Sequence, residues 1–176
     1  FFLLAFFSIH PIEADIFLQA DNFKVTGTGW RVAEGNVARD ASGLKVLQGS
    51  SGQFDSVAYE TVAIPEKGLY RIWVRYSQKP DVRGTFKLLL YQGENQIASK
   101  EFDLASTTEK ARDRRLGMDY VWDYLDAQLP QGNITLKFVK TGPKSVSALS
   151  RCIDCILITT DLKKQPDHTE YGPKLY

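Results

Sequence analysis

From Asp15 onward, apolar and polar positions alternate along the chain with the period of extended strands. Leu69–Tyr76 is the clearest case. Tyr70, Ile72, Val74 and Tyr76 fall on one face, and Arg71, Trp73 and Arg75 on the other. Asp15–Phe23 sets Ile16, Leu18 and Ala20 against Phe17, Gln19 and Asp21. Gly27 and Gly29 mark a turn before a short strand at Trp30–Val32, and Gly43–Gln48 places Leu44 and Val46 on one face. Ser56–Ile64, Thr85–Tyr91, Gln96–Leu104, Asp119–Leu129, Ile134–Lys140 and Arg151–Thr160 complete the series, with turn residues between them. Many short strands without helical periodicity predict an all-β chain. A two-sheet antiparallel β-sandwich of jelly-roll type fits best. An immunoglobulin-like sandwich fits less well, because its Cys…Trp…Cys spacing is missing.

Phe1–Ile9 breaks the pattern. It is uncharged, almost wholly apolar and too short to span a bilayer, which takes about 20 residues. The run reads as the h-region of a truncated secretory signal covering residues 1–14, cut after Ala14. That implies a secreted or periplasmic protein with no membrane span. Residues 15–161 form the sandwich. Residues 162–176, with Pro166, Gly172 and Pro173, read as a linker to a downstream domain. Ser106–Gly117 is a charged insertion, either loop or short helix.

Charge excludes one class of partner. With 22 Lys+Arg against 21 Asp+Glu, nothing drives nonspecific attraction to nucleic acid. Chemistry is sparse as well. Cys152 and Cys155 form a C-x-x-C pair, but the two histidines are His10 in the leader and His168 in the tail, which leaves a zinc site without ligands. Positions three apart on a strand face opposite ways, so one cysteine is expected in the core and the other outside. Asp119, Asp123 and Asp126 have the spacing of a solvated surface, not of a glycosidase pair. No nucleophile elbow or phosphate loop appears, so the chain is read as non-catalytic.

Trp73 between Arg71 and Arg75 is a candidate sugar site, since a pyranose stacks on an aromatic ring and an arginine fork suits an acidic sugar. The alternative is that the arginines stack on Trp73 and cover a sheet face. Trp30 and Tyr120 are the second candidates, near rim loops. Trp30 follows Gly27-Thr28-Gly29, which would leave its ring room to project. Trp122 and Tyr124 lie near Tyr120, with Trp122 expected in the core.

Three stretches in order resemble the β-sandwich carbohydrate-binding modules of families 6 and 35. IFLQADNF is similar to their Glu-Ala-Glu-x-Phe strand. IPEKGLYRIWVRY resembles their Pro-x-x-Gly-x-Tyr-x-x-x-Val-Arg strand, and RCIDCILITTDL their closing strand. The resemblance covers about residues 15–161. It implies a module that targets a secreted bacterial polysaccharide-active or flavin-dependent enzyme to its substrate, with polysaccharide and a downstream catalytic domain as partners. It also implies a structural calcium held by Gln19, Asp21 and Asp154, although Gln19 stands where the pattern has an acid, which removes a charge. A different class of role is a sandwich that docks on its neighbouring catalytic domain and binds no sugar. A free-standing hydrolase or lyase is the third.

Overall fold

Ten residues, Gly68–Ser77, form the strand β6 around which the first sheet is built. A computed structural model describes residues 15–50, 52–78, 84–103, 120–142 and 151–167. The expected leader (1–14), the charged segment 106–117 and the end of the expected linker (168–176) lie outside the described residues. The strands are β1 (Ile16–Gln19), β2 (Lys24–Thr26), β3 (Trp30–Ala33), β4 (Val46–Gly49), β5 (Val57–Ile64), β6, β7 (Phe86–Gln92), β8 (Asn95–Phe102), β9 (Tyr120–Leu129), β10 (Gly132–Lys140) and β11 (Cys152–Thr159).

They make two antiparallel sheets. The first runs β3-β4-β11-β6-β9, with β1 also paired to β11, and the second runs β2-β5-β10-β7-β8. The chain crosses between the sheets repeatedly, giving the expected jelly-roll sandwich. No helix among the described residues is long and apolar enough to cross a membrane.

The period-two pattern places the core. Tyr70, Ile72, Val74 and Tyr76 of β6 meet Phe86, Leu88 and Leu90 of β7 and Leu136 and Phe138 of β10. Aromatic rings knit the two layers. Tyr76 meets Phe86 edge-on at 5.2 Å between centroids, and Phe86 meets Phe138 at 5.8 Å. A partly buried ion pair joins the sheets too, with Lys100 Nζ of β8 2.7 Å from Asp123 Oδ1 of β9. Asp123 is therefore buried, not part of a solvated acidic row.

Two predicted strands are shorter than their patterns. Asp15–Phe23 breaks after Gln19 into a 3₁₀ turn, Ala20–Asn22, and the chain passes to the other sheet as β2. Gly43 and Leu44 belong to another 3₁₀ turn with positive φ, so Leu44 is exposed while Val46 is buried. Alternation in sequence cannot reveal where a strand leaves one sheet for the other.

The outward face of the first sheet is covered as well. Ala38, Ala41, Val46, Tyr120 and Cys152 pack together there, as do Trp73, Trp122, Cys155 and Leu157. A register shift between Ile153 and Cys155, a bulge at Asp154, resets the parity of β11. It turns Cys152 and Cys155 to the same side, and both are buried free thiols, which corrects the one-in, one-out expectation. Burial pushes the Cys152 thiol up to about 11 and raises Cys155 too, so neither is poised for redox or metal chemistry.

Candidate functional site

The expected platform on β6 is closed. Trp73 is 2% exposed, edge-on to Trp122 at 6.5 Å and tilted against Tyr124 at 4.7 Å. Arg71 lies over the Tyr124 ring, its guanidinium carbon 3.9 Å from the centroid. Its fork grips Asp126, Nε to Oδ1 at 2.7 Å and Nη2 to Oδ2 at 2.8 Å, while Nη1 donates to the Leu162 carbonyl. Each of its three guanidinium nitrogens donates within the protein. The arginine covers the sheet face, the second of the two arrangements weighed above. The first residues of the expected linker lie here too, and Pro166 is buried.

Arg75 is fully buried. It donates to Asp154 Oδ2 at 2.5 Å and to the Asp40 carbonyl at 2.8 Å, and lies 4.5 Å from the centroid of Tyr120. Tyr120 is itself buried, and its hydroxyl donates to the Val37 carbonyl at 2.9 Å. Burial raises the Tyr120 phenol well above its ordinary value, with the Asp154 charge adding to the effect.

Trp30 does not project. It is 3% exposed and packs against Phe138 at 6.5 Å. The glycine before it serves a different purpose from the one expected. A Cβ on Gly29 would lie 2.5 Å from the Gln53 carbonyl and 2.6 Å from Ser56 Cβ, so glycine is there to let the loop close onto its neighbours. Of the five expected sugar contacts, Trp30, Trp73, Arg75 and Tyr120 are thus buried, and Arg71 is held by Asp126 and the Leu162 carbonyl. The strand pattern located them; it did not reveal that both faces of the first sheet are covered.

The three expected metal ligands divide. Asp154 accepts from the Ser42 N–H at 2.8 Å as well as from Arg75. Burial pushes its carboxyl up to about 7 against the opposing pull of Arg75. Its oxygens are spent on donors, so it is the anionic partner of an arginine and not an open ligand. Gln19 donates through Nε2 to Ser42 Oγ at 2.7 Å, which leaves Gln19 Oε1 buried without a donor. Asp21 Oδ1 is in the same condition. Buried oxygens lacking donors suit a hard cation, so Gln19 and Asp21 could each offer one oxygen and Asp154 none, but calcium takes six to eight, and among the described residues no group of three or more His, Cys, Asp or Glu side chains could hold a metal ion.

An accessible aromatic surface lies elsewhere, on the outward face of the second sheet. There Tyr59 and Thr61 of β5, Thr135 and Lys137 of β10, Thr26 of β2 and Gly93 of the β7–β8 turn line a groove of about 400 Å³. Tyr59 is half-buried, and Lys137 opposes it in the strand register. Thr61 and Thr135 hydroxyls are hydrogen-bonded at 2.9 Å. Beside them Tyr91 lies under the Lys137 ammonium, 4.4 Å from ring centroid to Nζ. The groove offers one aromatic face with hydroxyl and ammonium groups around it, which is the equipment for stacking a pyranose and bonding its hydroxyls. Its signal in the sequence was the polar half of β5 and β10, where Tyr59 alternates with Ala58 and Lys137 with Leu136 and Phe138.

A family 35 carbohydrate-binding module from Clostridium thermocellum superposes with a TM-score of 0.58 at 14% identity, over 82% of this chain and 97% of that one. The sandwich is similar in fold to family 35 carbohydrate-binding modules. A second family 35 module, from an environmental isolate, gives 0.58 at 11% identity over 83% of this chain and 93% of that one. The β-(1,4)-mannanase GH26-CBM35 of Podospora anserina gives 0.55 at 16% identity, covering 86% of this chain and 29% of that one. No protein-family model and no curated protein matches the sequence. The likeness is therefore one of fold.

Proposed function

We propose that this chain is a non-catalytic carbohydrate-binding module that uses the outward face of its second sheet. The observation that carries the reading is Tyr59, half-buried in a groove with Thr61, Thr135 and Lys137 on a sandwich similar in fold to family 35 modules. The stacked ring supplies contact area at low entropic cost, and the hydroxyls fix orientation. Secretion, and tethering to a downstream catalytic domain that the module holds at polysaccharide, extend the same reading. A tether converts modest affinity into a high local concentration of enzyme on its substrate. A structural calcium that supports the fold would take one oxygen each from Gln19 and Asp21. Affinity electrophoresis of Tyr59→Ala beside a thermal melt tests the reading. Loss of glycan retention at unchanged melting temperature is expected. Retention unchanged by the substitution contradicts it.

A further inference from the structure

At the outer edge of the first sheet, β9 presents ten residues, with β6 hydrogen-bonded on one side and no described strand on the other. A long open edge is a template on which another chain can add a strand. Two of its backbone groups are nonetheless taken. The Tyr124 N–H donates to Asp123 Oδ1 at 2.8 Å, and the Tyr124 carbonyl accepts from Lys100 Nζ at 2.6 Å. Lys100 donates to the same Asp123 oxygen at 2.7 Å. Along an antiparallel strand, residues alternate between bonding their partner strand and facing away from it. Tyr124, opposite Trp73, faces away from β6, since its N–H and carbonyl go to side chains. The ion pair therefore bonds both outward groups of Tyr124, as a neighbouring strand would. The second sheet repeats the device on a smaller scale. There β2 covers only Val57–Tyr59 of β5, and just beyond it the Thr61 N–H donates to Glu60 Oε1 at 2.8 Å.

We infer that the outer edge of β9 is a self-association surface, held shut by Lys100 and Asp123, and that the strand fitting it is β9 of a second copy of this chain. The occupant follows from the residues along the edge. An antiparallel pair related by a two-fold axis at Tyr124 sets Asp123 opposite Leu125, Trp122 opposite Asp126 and Tyr120 opposite Gln128, so no like charges are opposed. Such a pair joins two first sheets edge to edge and does not involve Tyr59.

The test compares the full chain with its Lys100→Met, Asp123→Leu double variant, which removes the pair without stranding a charge. In sedimentation experiments wild type should keep the monomer mass at every concentration. The double variant should climb towards twice that mass as concentration rises. Adding Gln128→Pro, which deletes an outward N–H of β9, should reverse the climb. Hydrogen exchange on wild type gives a reading that does not depend on the variant folding. The Tyr124 amide should exchange about tenfold more slowly than the outward amides of Asp126 and Gln128, as the loss of one hydrogen bond's worth of protection requires. A folded double variant that stays monomeric throughout, association that Gln128→Pro does not weaken, a wild type that already dimerises, or a Tyr124 amide as fast as its outward neighbours each overturns the inference.

Discussion

Arg75 and Asp154 face each other on the neighbouring strands β6 and β11, Nη1 to Oδ2 at 2.5 Å, with both side chains fully buried. The pair ties the bulge in β11 to β6, and through Ser42 and the Asp40 carbonyl to the loop that covers the first sheet. Removing one partner strands a charge in a dry interior. Arg75→Met should cost about 3–5 kcal/mol, whereas Arg75→Met with Asp154→Leu should recover most of that loss. Urea unfolding of the three variants against wild type gives the numbers. Equal destabilisation in the single and double variants would show that the charge is not what matters.

Trp73 and Trp30 are structural in this account. Each Trp→Ala substitution should cost about 3–5 kcal/mol in a denaturant titration. Glycan retention by the fraction that remains folded should be unchanged. A Trp73→Ala protein of full stability that no longer binds glycan would return the site to β6.

Calcium should stabilise the protein modestly, because an ion that binds only the folded state shifts unfolding by mass action. The melting temperature should fall on chelation in wild type. With Gln19→Leu combined with Asp21→Leu it should not respond to the ion. A wild-type midpoint that ignores both calcium and chelator would show that the buried oxygens of Gln19 and Asp21 draw no cation.

Alkali should unfold the protein in step with Tyr120. Its phenol is raised in the folded state above the ordinary 10.0. Below pH 10 both folded and unfolded forms hold the proton, and stability is unaffected. Above it the unfolded chain ionises first, so stability falls as pH rises towards the folded value. Tyrosinate absorbance in wild type should therefore show buried phenols, Tyr120 among them, that ionise only with the loss of tertiary structure. Tyr120→Phe should reduce the amplitude of that phase.

Much of this fold is readable in the alternation of single strands. Tyr70, Ile72, Val74 and Tyr76 could be placed in the core because a pleated strand offers only two faces. What the pattern lacks is what lies over the second face. Trp73 and Trp122 sit on the side opposite the core, and their burial comes from residues distant in sequence, such as Leu157. The bulge at Asp154 is likewise invisible, since one residue out of register leaves no compositional mark yet turns Cys152 and Cys155 to the same side. Tyr59 went unnoticed for the opposite reason. A tyrosine among threonines on an amphipathic strand resembles any solvated face until the neighbouring strands bring Thr135 and Lys137 beside it.

The most direct measurement is an NMR titration of the labelled protein with a soluble oligosaccharide of the polymer it retains best. Backbone shifts are predicted to move together at Tyr59, Thr61, Thr135 and Lys137, and to stay still at Trp30, Arg71 and Trp73. Shifts confined to the first sheet or to the loops beside Trp30, with Tyr59 unmoved, would contradict the account.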